Sequence, residues 1–184
     1  MKANAQIALR PGIVDRITQL LLGTDLRDKV DRITHLEQLS YRLQVKAMSL
    51  PRHATARAFT PILERAAAMH SRAWDFLSSE SNGRKVLVDN AYLKVVMIRW
   101  EPGAGSDRHF HPNGGGMILV LEGSVQESRF HQATSAVPHE VLLLGPQAMS
   151  YIDDTLGAHA VMNPNPFHAV TLHAYLKDRL AGTA

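Results

Sequence analysis

Two histidines, His109 and His111, stand two residues apart in the stretch HFHPNGGG, and a third, His159, lies in DDTLGAHAVMN. Residues i and i+2 of an extended strand face the same way, so the first pair is expected to point together into the mouth of a barrel. An H-x-H pair alone is a weak signal, matched as well by two part-exposed histidines at a strand end. A third imidazole from a distant strand raises the odds, because it would complete a facial set of three metal ligands. The chain has no cysteine, which excludes disulfides, thiolate-bound zinc and iron–sulfur clusters and leaves His, Asp and Glu to hold any metal. His35, His53, His70, His131, His139 and His168 lack comparable company and read as surface or core residues. After His111 the chain gives up side chains: Gly114, Gly115 and Gly116 follow where another ligand could have stood.

The elements that must position these residues are of two kinds. Ile13, Ile17, Leu20 and Leu21 recur at helical spacing, and Leu26, Val30, Ile33, Leu36, Leu39 and Leu43 continue the period. A third helical run is Phe59, Ile62, Leu63, Ala66, His70, Ala73 and Leu77, with MSLPRHATAR before it as a loop and Asn82-Gly83 closing it. From residue 84 the period changes. VLVD, YLKVVMIRW, MILVLEG, SVQESRF, HEVLLLG, AMSYID and AVTLHAYL are short β-prone runs between turn residues, roughly seven strands with no helical pattern among them. The expected fold is mainly β, an antiparallel jelly-roll barrel (residues 84–184) behind a helical N-terminal cover (residues 1–83), together one domain of 184 residues.

Composition narrows the partners. With 45% hydrophobic and 20% charged residues the chain is ordinary for a soluble globular protein. Its formal charge of +3 is spread rather than gathered into a stripe, which argues against nucleic acid. No window approaches the roughly 18 consecutive apolar residues of a membrane span, and the N-terminus lacks a long apolar leader run. A cytoplasmic location is expected.

The spacing of Gly105, His109, His111 and Gly123, then of Gly157, His159 and Asn163, resembles the two motifs of the cupin superfamily. The departure is Gly116, where many cupins place a Glu ligand. Within that superfamily WEPGAGSDRHFH, LEGSVQESRF, YIDDTLGAHAVMN and AVTLHAY are similar in order and spacing to segments of the cysteine dioxygenase family of thiol dioxygenases, over about half the chain, from Arg84 to Leu176. The N-terminal helices match only in general character. The resemblance implies a cupin barrel, one Fe(II) per chain on His109, His111 and His159, and oxidation of a small thiol by O2 to the sulfinic acid. It places Thr171, His173 and Tyr175 where the family carries a hydrogen-bonded Ser-His-Tyr relay, Thr standing for Ser. Animal members have at the position of Gly116 a Cys that cross-links to the terminal Tyr; this chain resembles the bacterial type without that bond. Arg84 and Lys85 both lie close to the family's carboxylate-binding Arg, and an offset of one residue leaves the choice between them open.

Three neutral imidazoles leave Fe(II) its full charge and adjacent open positions, which favours an anionic thiolate. Strand alternation gives Thr171, His173 and Tyr175 one face, so that a hydroxyl, an imidazole and a phenol can point at the metal and orient a substrate group or manage protons. The expected substrates are mercapto-carboxylates: L-cysteine, 3-mercaptopropionate or mercaptosuccinate. The alternative is a small-molecule-binding or sensory metal cupin without redox turnover, which would not require the Thr171, His173, Tyr175 line.

Overall fold

The change of apolar period near residue 84 marks a change of architecture. The computed structural model describes residues 33–177 apart from 70, 81, 82, 112 and 113. Helix α1 (Leu36–Ser49), a 3-10 turn (Ala56–Phe59), helix α2 (Thr60–Ala66) and a 3-10 segment (Ser71–Ser79) precede eight strands. The strands are β1 (Arg84–Asp89), β2 (Leu93–Trp100), β3 (Gly116–Glu122), β4 (Val125–Phe130), β5 (Glu140–Leu144), β6 (Met149–Ile152), β7 (Ala158–Met162) and β8 (Ala169–Leu176). No described helix is long and apolar enough to cross a membrane.

All pairings are antiparallel. One sheet has the order β1-β2-β8-β3-β6 and the other β5-β4-β7, so the fold is mainly β and antiparallel, as the sequence led us to expect. Alternation assigns the two faces of the large sheet. Trp100, Ile118, Val120 and Ala169 meet Val125, Leu144 and Val161 of the small sheet in an inner cluster. Val95, Met97, Leu119, Leu172 and Ala174 pack on the other face against Leu39, Leu43, Phe59, Leu63, Trp74 and Leu77 of the helical cover. Burying a Leu or Phe is worth about 1.5–3 kcal/mol, so this outer cluster is a principal source of cohesion.

Two expectations change, and one falls outside the described residues. The segment from Ile13 to Val30 lies outside the described residues. The third helical run is not one helix: after Ala66 the chain turns and resumes at Ser71 as 3-10. A 3-10 repeat of three residues stacks i on i+3. It thereby buries Trp74 and Leu77 together and lets the Trp74 indole donate to Glu122 at 2.8 Å. Among the described residues there are eight strands where the sequence shows roughly seven β-prone runs; the run outside those seven is β7, AHAVM, the distant strand expected to carry His159.

Candidate metal centre and its pocket

His159 enters the site from β7, where it faces the barrel interior and is 1% exposed. His109 arrives on the chain that leaves β2. This segment runs beside β7 through isolated bridges, Gly105 to Met162 and His109 to His159, with backbone bonds of 3.0 Å in both directions between His109 and His159. His109 and His111 therefore do not sit on a regular strand as expected. Only one residue of the pair is bridged, yet the backbone stays extended enough for both rings to turn inward while Phe110 between them is exposed.

The three imidazoles form a nearly equilateral group, with ring centroids 4.7, 4.7 and 4.8 Å apart. Their candidate ligand atoms all lie within 4.8 Å of one another, and the Nε2 atoms of His111 and His159 are 2.8 Å apart. Two nitrogens bound at ~2.0–2.1 Å and at right angles about one metal would stand about 2.9 Å apart.

Hydrogen bonds fix the tautomers of two of the rings. Nδ1 of His109 is 2.7 Å from the carbonyl oxygen of Asp107, which can only accept, so Nδ1 carries the proton and Nε2 a lone pair. Nδ1 of His159 is 2.7 Å from Oε1 of Glu127. Burial pushes the Glu127 carboxyl up, but its bonds to His159 and Ser150 and the nearby Arg129 guanidinium together hold it below its ordinary range. It is therefore a carboxylate, and His159 also donates through Nδ1. Burial, then the neighbouring His159 and His109, lowers His111 to about 3. Burial is also the largest cause that lowers His109. The donor set is three imidazoles, with the Glu127 carboxylate standing behind one of them. That set fits a divalent transition metal such as Fe, Zn, Cu or Ni.

Glu127 had no part in the sequence reading. It is 0% exposed, and it is held by Ser150 Oγ and by Arg129 Nη2 at 3.2 Å. Arg129 is tied in turn to Glu140 at 2.9 Å. The signal was its register in β4, two residues from buried Val125 on the inward side. Asn163, by contrast, takes no place in the site. Its amide donates to the carbonyls of Trp100, Glu101 and Phe167, so it staples the loop that delivers His109.

Beside the imidazoles is a cavity of about 370 Å³ whose lining includes Arg84, Trp100, His109, His159, His173 and Tyr175. The expected β8 line is continuous: Thr171 Oγ1 is 2.8 Å from His173 Nε2, and Tyr175 Oη is 2.9 Å from His173 Nδ1. Trp100, paired in register beside this strand, donates from Nε1 to Thr171 Oγ1 at 2.8 Å. Tyr175 also stacks on His111, with centroids 4.9 Å apart and planes at 15°. Burial pushes its phenol up to about 12 against the pull of the Arg84 charge. Arg84 and Lys85 separate by register. Arg84 pairs with Ile98 and lines the cavity. Lys85 pairs with Met97 on the opposite face and donates to Glu80 at 2.8 Å.

The glycine run is explained by what surrounds it. A Cβ on Gly116 would lie 2.6 Å from Cδ1 of Tyr175, and one on Gly114 would lie 2.6 Å from Cδ2 of Leu176. Gly115 has φ of 71°, and a Cβ there would meet the Ile152 carbonyl. The run is clamped by Ala56 N–H to Gly114 O at 2.7 Å and Leu176 N–H to Gly115 O at 3.1 Å. The Tyr175 ring thus occupies the room that a side chain at position 116 would need.

Residues 45–178 match the family model described as cysteine dioxygenase type I. The chain is 30% identical over 96 residues to cysteine dioxygenase type 1 of Homo sapiens, covering 48% of each chain. It is 28% identical over 96 residues to that of Bos taurus, with the same coverage. The chain thus spans about half the length of the curated relatives it matches. Among solved structures it is similar to a protein from Bacillus halodurans (16% identity, 64% of this chain and 86% of that one, TM-score 0.49). It is also similar to a cupin superfamily protein from Desulfitobacterium hafniense (14% identity, 52% and 76%, TM-score 0.43).

Proposed function

The chain belongs to the cysteine dioxygenase type I family, and from that premise we propose that it is an iron-dependent thiol dioxygenase. It would convert a small mercapto-carboxylate (L-cysteine, 3-mercaptopropionate or mercaptosuccinate) and O2 to the sulfinic acid. The observation that carries this reading is a cluster of three imidazoles beside a cavity that is also lined by a guanidinium and a hydrogen-bonded phenol. His109, His111 and His159 would hold Fe(II), which supplies the one-electron chemistry that O2 requires and a positive charge that favours a thiolate.

The remaining work falls to the chain's own side chains. Arg84 binds the substrate carboxylate, a task its planar fork of donors suits better than an ammonium would. Holding the far end of the substrate beside the imidazoles fixes the reacting geometry. Tyr175 keeps its proton at neutral pH, since its phenol is pushed up to about 12, and so can donate a hydrogen bond to a bound oxygen or carboxylate. Ile98, Trp100 and Val161 exclude water from one side of the cavity.

Oxygen uptake by the iron-loaded protein over a panel of thiols is the test. The expected result is one O2 consumed per sulfinate formed, with acid thiols preferred to cysteamine. Turnover restored equally by zinc would overturn the redox mechanism. Binding of thiols without any uptake would assign the site to a small-molecule-binding or sensory cupin instead.

A further inference from the structure

The hydrogen-bonded line on β8 has a fixed direction, and the residue that sets it lies on the neighbouring strand. We propose that Trp100 is a positioning residue that polarises Thr171, His173 and Tyr175 so that the phenolic hydrogen of Tyr175 is presented to the cavity. This assignment rests on the proposed reaction only in what the hydrogen is presented to.

An indole N–H donates and cannot accept. Trp100 Nε1 is 2.8 Å from Thr171 Oγ1, so one lone pair of that hydroxyl is taken. Thr171 is 0% exposed, and the other polar group at its hydroxyl is His173 Nε2 at 2.8 Å. If Nε2 carried the imidazole proton, the hydroxyl would accept twice and its own hydrogen would be buried without an acceptor, an arrangement that folded proteins avoid. The hydroxyl therefore donates to Nε2. His173 is 3% exposed, and burial, with the neighbouring imidazoles, lowers it to about 3; it is neutral, with its one proton on Nδ1. That proton is donated to Tyr175 Oη at 2.9 Å. With its oxygen accepting from His173, Tyr175 has its hydrogen left for the cavity it lines. Trp100 begins the chain of donation, and Tyr175 ends it.

Serine could turn its hydroxyl among three rotamers. Threonine, branched at Cβ, is stiffer at χ1, and its oxygen is held between an indole donor and an imidazole acceptor. The tryptophan thus does more than fill the inner cluster with Ile118, Val120 and Val161: its single polar atom selects one of two tautomers a strand away.

The test reads the tautomer directly. Two-bond proton–nitrogen correlation spectra of the full chain, histidine-labelled and recorded with and without diamagnetic Zn(II), should show His173 protonated at Nδ1 and bare at Nε2. Trp100→Phe should erase that preference and lower kcat by on the order of 10-fold or more, with metal content and KM unchanged. Thr171→Val should do the same, and Thr171→Ser should restore the wild-type spectrum. A wild-type His173 protonated at Nε2 would overturn the proposal, as would a preference that survives both Trp100→Phe and Thr171→Val. Should Trp100→Phe fail to fold, the Thr171 pair carries the decision. The spectrum requires no turnover, so a chain that oxidised no thiol would count against the proposed reaction, while the relay is judged on the tautomer alone.

Discussion

At the scale of single residues, the site is organised by one carboxylate that never faces the cavity. Glu127 bonds His159 from behind and is bonded in turn by Ser150 and Arg129. Partners of this kind orient a metal ligand and raise its basicity, and their loss typically costs about 10–100-fold in metal affinity or activity. Glu127→Gln keeps the shape and removes the charge. It should weaken Fe(II) or Zn(II) binding by that order in a chelator competition, while the circular dichroism spectrum stays unchanged; equal affinity would remove Glu127 from the centre. A second prediction separates the two cations of β1. Arg84→Ala should raise KM for acid thiols by roughly 10–100-fold, the equivalent of about 1.5–3 kcal/mol for a hydrogen bond to a charged group. Lys85→Ala should do little, since Lys85 serves Glu80. Cysteamine, which has no carboxylate, provides the control in steady-state kinetics. If Lys85→Ala impaired the acids and Arg84→Ala spared them, the clamp would be on the other face of the strand.

At the scale of elements, the connection from His111 into β3 is as specific as any strand. Gly115→Ala places a side chain at φ of 71° and drives it into the Ile152 carbonyl. A residue forced into such a region costs of order 1–3 kcal/mol before the clash is counted. A domain of this size loses about 2–4 °C of Tm per kcal/mol. The expected outcome in a thermal melt is a Tm lower by several degrees, with weakened metal binding because His111 is anchored by this run. Gly103→Ala, at φ of 74° but with nothing within 4 Å of the added methyl, should melt closer to wild type. Equal effects would mean that the packing around Gly115 is unimportant.

This is also the scale at which the sequence was most and least legible. Alternation in AVTLHAYL and YLKVVMIRW was enough to put Thr171, His173 and Tyr175 on one face, because period two admits only one assignment once a face is buried. It could not show that His109 and His111 arrive on a broken extended segment, which depends on pairing with a strand some 50 residues later. Nor could it choose between Arg84 and Lys85, where one residue of register against Ile98 and Met97 decides the face. The helical run from Phe59 failed at Ala66, because local apolar spacing carries no information about Glu122, the distant group that Trp74 must reach. Glu127 was overlooked because a charged residue in a half-polar strand reads as solvent-facing until the opposing sheet is known.

At the scale of the whole molecule, burial of neutral imidazoles couples folding to pH. His173 and His111 are each lowered to about 3, burial being the largest cause in both, whereas unfolded imidazoles titrate near 6.5. Above about 6.5 neither state binds these protons, and the stabilising contribution is complete. As pH falls from 6.5 toward 3 the unfolded chain takes them up and the folded chain does not, so stability declines. The metal-free protein should therefore show a lower Tm at pH 5 than at pH 7.5, and a flat profile would contradict the assignment. Strand β8 lies in the interior of the large sheet. It is hydrogen-bonded to β2 on one side and β3 on the other. Its residues alternate between the barrel interior, with Thr171, His173 and Tyr175, and the cluster under the helical cover, with Leu172, Ala174 and Leu176. Such a strand has no edge at which to fray, so its amides should exchange with deuterium only when the entire fold opens. The reactive line would then lose its geometry at the same temperature as the core, and inactivation and unfolding would be a single event.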